Sequence, residues 1–245
     1  MTGSTVPSFT QQAMVTPSMC DGSSKMGVPN FFAAYMDIAA IHSEATGLGV
    51  KTLMEKGLFW LAVKTIVRLH RRPALTEKIA LTTWPTAPEG KRCLRYYTVK
   101  QGEELLAEGK TEWAMLDAKT MQVVDVANGY PEGFQALPDT ACAGDFSRIS
   151  EDFSAGTVVG TYRVASTDID FGGHMNNAAY VRAIFSLFPS KALRALRVRE
   201  MEIIYRTPCF EGTLLTLKTR QAEAGRTEWG LFNEAGKAVA LGRVN

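Results

Sequence analysis

The chain is short of the residues from which metal, disulfide and membrane chemistry are built. Only three histidines occur in 245 residues, His42, His70 and His174, and a histidine-rich metal site has nothing to draw on. The four cysteines, Cys20, Cys93, Cys142 and Cys209, lie 73, 49 and 67 residues apart, so no CxxC or metal-knuckle spacing exists. Free thiols in a reducing compartment follow as the expectation. The formal net charge is only +2, too small to argue for a nucleic-acid partner. No apolar run approaches the roughly 18 residues of a membrane span, and the most apolar helix candidate, 31–41, is interrupted by Asp37. The first 13 residues are rich in Ser, Thr and Gln, without a basic start or an apolar centre. They read as a short disordered tail rather than a secretory signal. The expectation is a cytoplasmic protein with no metal, no cofactor, no nucleic acid and no membrane span.

What is present is ordinary globular composition, 46% apolar and 21% charged, enough for one large domain or two of about half the length. The charge is unevenly spread. Residues 181–206 carry Arg182, Lys191, Arg194, Arg197, Arg199 and Arg206 against Glu200 and Glu202, a local +4 that leaves −2 for the remainder. Such a patch is either a solvated helix face or a landing surface for an acidic partner.

The order of motifs suggests a duplication. Arg72-Pro73 leading into Ala74–Leu81 is echoed by Arg206-Thr-Pro208 leading into 209–217, and the glycine of Leu105–Lys110 by that of Ala238–Arg243. The offsets are 135 for the prolines and 133 for the glycines, Gly109 and Gly242. In each half a helix precedes strands. Pro29 suits a first helical turn, and Phe32, Tyr35, Met36, Ala39 and Ala40 form an apolar stripe that Gly47 and Gly49 end. Strands are expected at 63–69, 79–84, 94–100 and 110–116, then at 201–206, 214–222, 228–233 and 237–244. Between the halves no apolar period survives, and 131–157 reads as a linker. The expected fold class is α+β.

The densest chemistry lies at Asp168-Ile-Asp-Phe-Gly-Gly-His-Met-Asn-Asn177, immediately before the helical pattern Tyr180, Val181, Ile184, Phe185, Phe188. Two carboxylates, a glycine pair, a histidine and a helix start are the parts needed to hydrolyse an activated acyl group without metal or cofactor. Asp170 is the expected general base or nucleophile, its plainer alternative being a turn cap. His174 can orient Asp170, position water or protonate a leaving thiolate. Gly172 and Gly173 permit close backbone approach to a substrate. Asn176 either orients substrate or caps the helix, and Asp168 braces the turn. Cys209 is an attacking thiolate if paired with His174 and core packing if not.

These residues resemble a known family. Asp-Ile-Asp-x-x-Gly-His-Met-Asn-Asn-x-x-Tyr resembles the signature of hotdog-fold thioesterases. The chain from about residue 14 onward resembles the acyl-acyl-carrier-protein thioesterases, through Gly57-Leu-Phe-Trp60-Leu, Arg71-Arg-Pro73, Thr83-Trp84-Pro85 and Tyr205-Arg206 to Cys209. The resemblance implies two tandem hotdog domains, each an antiparallel sheet wrapped around a central helix. Their expected bounds are 14–130, which shapes the acyl-chain site, and 158–245, which carries the catalytic motif. It implies hydrolysis of fatty acyl thioesters on the acidic acyl carrier protein, with Asp170 on the family's acidic residue, His174 on its histidine and Cys209 on its cysteine. Gly172 stands where plant members have asparagine, and Pro208 where they have glutamate. A mechanism that needs either missing group does not carry over unchanged. Trp60, by the same resemblance, is a candidate contact for the acyl chain, and Arg182, Lys191 and Arg194 are candidates for docking the carrier. An acyl-CoA thioesterase and a non-hydrolytic acyl-binding protein stay open as rivals, as do monomer and homodimer.

Overall fold

The computed structural model describes residues 6–245. One antiparallel sheet runs through the molecule. Its first half contains β1 (Phe9–Met14), β2 (Leu58–Leu69), β3 (Lys78–Pro85), β4 (Cys93–Gln101), β5 (Glu104–Asp117) and the short β6 (Val123–Val124). The second half contains β7 (Thr157–Arg163), β8 (Glu200–Tyr205), β9 (Leu214–Gln221), β10 (Thr227–Phe232) and β11 (Ala238–Val244). The order across the sheet is β1-β3-β4-β5-β2-β8-β11-β10-β9-β7, with β6 on β5. Read from its outer edge inward, each half has the same sequence of strands. The duplication expected from the motifs is therefore a duplication of topology, and the two units meet where β2 pairs antiparallel with β8.

Each half wraps a helix. In α1 (Val28–Ala45) Pro29 occupies the first turn, where its missing N–H costs nothing, and Phe31, Phe32, Tyr35, Ile38, Ala39 and His42 are buried. The counterpart, α3 (Asn177–Ser186), buries Tyr180, Val181, Ile184 and Phe185. Short helices α2 (Val50–Glu55) and α4 (Ser190–Ala195) follow them. A side-chain contact from Asn177 at the start of α3 reaches Met36 in the middle of α1. Val28, Pro29 and Asn30 at the start of α1 in turn share a cavity with Arg182, Phe185 and Ser186 of α3. The two helices thus pack antiparallel, and one continuous apolar core contains residues of both halves.

Two equivalent glycines show how tightly the helices sit. A Cβ on Gly109 of β5 would lie 2.3 Å from the Tyr35 ring and 2.6 Å from the Ile66 carbonyl oxygen. On Gly242 of β11 it would meet the Ile184 side chain only at 3.6 Å. The glycine offset of 133 is the true register, since Gly109 pairs with Val67 as Gly242 pairs with Ile203. The proline offset is one residue out: the Met26 amide donates to the Pro73 carbonyl as the Met175 amide donates to that of Cys209, which makes Cys209 the partner of Pro73.

One expectation fails in part. Residues 9–13, read as disordered tail, form most of β1 and pair with β3 from Phe9↔Thr83 to Met14↔Lys78. Residues 1–5 lie outside the described residues. The segment read as a linker is an ordered strap over the outer face of the sheet. Its own Cys142, Ile149 and Phe153 are buried, the Cys142 amide donates to Glu108, and the Ser147 amide donates to Glu202. Among the described residues no helix is long and apolar enough to cross a membrane.

Candidate active site

The site grows out of the turn after β7. A single turn of 3-10 helix, Ser166–Asp168, buries the Asp168 carboxylate. That carboxylate accepts hydrogen bonds from the Tyr162 hydroxyl at 2.7 Å, the Ala165 amide at 3.0 Å and Arg182 Nη2 at 3.3 Å. The brace expected of Asp168 is therefore built from three donors, two of which, Tyr162 and Arg182, carry no local signal in the sequence. A tight loop follows, closed by Asp170 N–H to the His174 carbonyl and by Gly173 N–H to the Asp170 carbonyl, both at 3.0 Å. Gly173 sits at φ +79°, a conformation glycine adopts at little cost. The loop is pinned on both sides, by Met175 N–H to the Cys209 carbonyl and by Asn176 N–H to the Asp168 carbonyl.

This closure brings Asp170 and His174 together. Oδ1 of the carboxylate lies 3.6 Å from Nδ1 of the imidazole, an ion-pair separation longer than a hydrogen bond. The carboxylate is 25% exposed and the imidazole 44%, so both are open to a substrate without standing in bulk water. The backbone donor to Asp170 is the Gly172 N–H at 2.8 Å, not an amide of α3. Gly172 itself is crowded: a Cβ there would fall 2.8 Å from His174 Cε1 and 3.0 Å from Asp170 Oδ1. A side chain at 172 would point straight at the pair.

The helix start lies directly behind. Asn176 Oδ1 accepts from the Ala178 N–H at 2.9 Å, and the Asn176 carbonyl accepts from Ala179. Asn176 thus serves as the cap of α3, and the Asn177 N–H has no protein acceptor among the described residues. Asn177 also accepts the Tyr205 hydroxyl at its carbonyl and reaches Met36 with its side chain, so α1 closes the other wall. In the sequence Met36 reads as a helix apolar position and Tyr205 as part of a strand that carries the family resemblance, and neither signals a contact with Asn177.

Cys209 is not paired with His174. It is 2% exposed, its thiol is pushed up by burial with the nearby Tyr180 hydroxyl acting the other way, and it packs in the shared core. All four cysteines are unpaired thiols. Trp60 is not brought to the loop either. It donates to the Leu48 carbonyl and sits edge-on to Trp113 and Tyr130, against a separate cluster of Leu48, Leu53, Leu58 and Met115. Of the basic residues, Arg182 braces Asp168, while Lys191 and Arg194 are exposed on α4.

Both halves match models of one family. Residues 7–134 match the acyl-ACP thioesterase N-terminal domain and residues 154–243 the acyl-ACP thioesterase C-terminal domain. A palmitoyl-acyl carrier protein thioesterase of Gossypium hirsutum, chloroplastic, is 22% identical over 179 residues, which cover 70% of this chain and 43% of that protein. The chain spans about half the length of the curated relatives it matches. An acyl-ACP thioesterase structure from Bacteroides thetaiotaomicron superposes with a TM-score of 0.82 at 20% identity, covering 97% of both chains. The 12:0-ACP thioesterase of Umbellularia californica superposes with a TM-score of 0.78 at 14% identity, covering 97% of this chain and 96% of that one.

Proposed function

Since the chain belongs to the acyl-ACP thioesterase family, we propose that it hydrolyses fatty acyl thioesters of acyl carrier protein to free fatty acid and the carrier thiol. The observation that carries the reading is the Asp170–His174 pair, held by one tight loop at the start of α3. A thioester carbonyl is already electrophilic because sulfur donates poorly into it, so what catalysis must add is an activated water and a place for the oxyanion. In the reading proposed, Asp170 takes a proton from water and the oxygen bonds to the carbonyl carbon. The Asn177 N–H, favoured by the helix dipole, faces the oxygen that gains charge. Collapse of the intermediate breaks the carbon–sulfur bond, and His174 delivers a proton to the departing thiolate. Neither a side chain at 172 nor a carboxylate at 208 is called upon. Cys209 takes a packing role, since a buried thiol with a raised pKa is a poor nucleophile.

The carrier is acidic, and the exposed bases Arg182, Lys191 and Arg194, on α3 and α4, are the docking surface in this reading. Four unpaired thiols suit a reducing compartment, which supports a cytoplasmic enzyme. Because one chain already supplies both central helices, it works as a monomer or as a homodimer of such chains.

The test offers the purified chain a chain-length series of acyl-carrier-protein thioesters, with acyl-CoA carrying the same chains, and follows thiol release. Turnover preferring the carrier protein is expected, and the pair Lys191→Glu, Arg194→Glu should raise KM for the carrier substrate more than for acyl-CoA. Equal kcat/KM on both carriers would replace the reading by an acyl-CoA thioesterase. Tight binding of acyl thioester with no thiol released would replace it by a binding protein.

A further inference from the structure

The catalytic loop has a twin in the first half. Shifting by 149 residues maps Asp170 onto Asp21, Gly172 onto Ser23, His174 onto Lys25, Met175 onto Met26 and Asn176 onto Gly27. The hydrogen bonds repeat one for one. Asp21 N–H donates to the Lys25 carbonyl, Ser24 N–H to the Asp21 carbonyl, Ser23 N–H to Asp21 Oδ1 and Gly27 N–H to the Met19 carbonyl. The isolated bridge Ile169↔Met175 recurs as Cys20↔Met26. The substitutions remove the chemistry. Lysine stands for the histidine, glycine for the capping asparagine and Pro73 for Cys209. The Asp21 carboxylate is spent on Arg72 and Ser23.

The twin nonetheless keeps a binding space. A cavity of about 290 Å³ opens beside this loop, between the start of α1 and the far end of α3, at the lower end of the range of small-ligand pockets. From Asn177 to Ser186 the helix rises about 13 Å, so the cavity and the catalytic loop lie toward opposite ends of α3. Its walls include Val28, Phe185, Leu193, Leu196 and Val198, Arg182 lines it, and the one carboxylate on its lining, Asp21, is paired with Arg72. Arg182 commits only Nη2, to Asp168, which leaves Nε and Nη1 without a protein partner among the described residues. The Arg194 guanidinium lies close by, over Gly22, where a Cβ would be 3.1 Å from its Nε.

We propose that this cavity is a second, non-hydrolytic site that binds a medium-chain carboxylate, its alkyl chain on the apolar wall and its head on Arg182 with Arg194 at the rim. An apolar recess with guanidinium donors to spare selects a molecule that is both anionic and aliphatic. A bare anion forfeits the wall, and a neutral alcohol forfeits the charge-assisted bonds. The inference rests on the geometry of the twin and holds whether or not the catalytic loop hydrolyses carrier-bound substrates.

Cys20 lines the cavity and is half-buried, whereas Cys93, Cys142 and Cys209 are buried, so Cys20 is a reporter already in place. The full chain is treated with iodoacetamide with and without sodium octanoate, and the modification rate at each cysteine is read by peptide mass spectrometry. At an octanoate concentration about four times its Kd, the rate at Cys20 should fall about fivefold. Acetate and octanol at the same concentration should protect far less. Ser186→Glu, at an exposed position facing the cavity, should abolish protection, the rate with octanoate being compared with the same variant's own ligand-free rate. Arg182→Gln serves as an independent second variant with the same expected loss. The buried Cys93, Cys142 and Cys209 peptides from the same digest serve as controls that the chain stays folded during the reaction. No protection of Cys20 by octanoate, equal protection by octanol, or full protection retained in both variants would overturn the proposal.

Discussion

Single residues decide how the loop works. Gly172 has no side chain, yet its Cβ direction points between His174 and Asp170. Gly172→Ala should therefore turn the imidazole aside at little cost to folding, since the ring is flexible and half in solvent. Misplacement of about 1 Å is enough to cost on the order of a hundredfold in rate, so the expected result is a kcat drop of at least about tenfold with an unchanged Tm. Buried Glu202 carries a different prediction. Burial raises its carboxyl above the ordinary range, outweighing the Ser147 hydrogen bond and the Arg243 charge. A group with a raised folded-state pKa adds its stability below the unfolded pKa and loses it as pH rises. Glu202→Gln, which keeps an oxygen for the Ser147 amide, should melt above the native chain at neutral pH, with the gap closing by about pH 4. A gap that widens toward acid would refute the sign. At this scale the sequence was most legible where motif and turn chemistry coincide: Asp170, His174 and the glycines announce a chemistry-bearing loop before a helix. Tyr162, Tyr205 and Met36 were silent because contacts across 6 to 141 residues of chain leave no local pattern.

Elements were legible in proportion to their burial. The inner strands bury most of their side chains, several of them almost continuously, and β2, β3, β4, β5, β8, β9, β10 and β11 each fall on an expected segment. Both edge strands were missed for one reason. β1 and β7 leave most side chains exposed, so backbone pairing alone holds them and no hydrophobic period marks them. The repeat makes a paired prediction about β5 and β11. Gly109→Ala must push its Cβ into the Tyr35 ring and the Ile66 carbonyl, an overpacking cost of about 2 kcal/mol or more. Gly242→Ala makes ordinary contacts and should change stability by less than about 1 kcal/mol in either direction. Urea unfolding of the two variants separates them, and equal losses would mean that the two helices are not packed as described.

As a whole, the molecule is two copies of one unit fused along β2 and β8. Arg68 stitches the seam by reaching Glu200 across it and Glu108 on its own side, and the strap through Cys142 and Ser147 covers the outer face. With one apolar core common to both halves, calorimetry should record a single cooperative transition, and two resolved transitions would contradict a shared core. The carboxylate–imidazole pair stands in one loop only: the twin loop has Lys25 where the other has His174. The central claim is that the working copy runs on a carboxylate and not on a thiolate. Thiol release from an acyl-carrier-protein thioester, measured for Asp170→Ala and Cys209→Ala side by side, tests it most directly. The account predicts that the aspartate variant loses at least about a hundredfold in kcat while the cysteine variant stays within about tenfold of the native chain. A dead Cys209→Ala beside an active Asp170→Ala would contradict it.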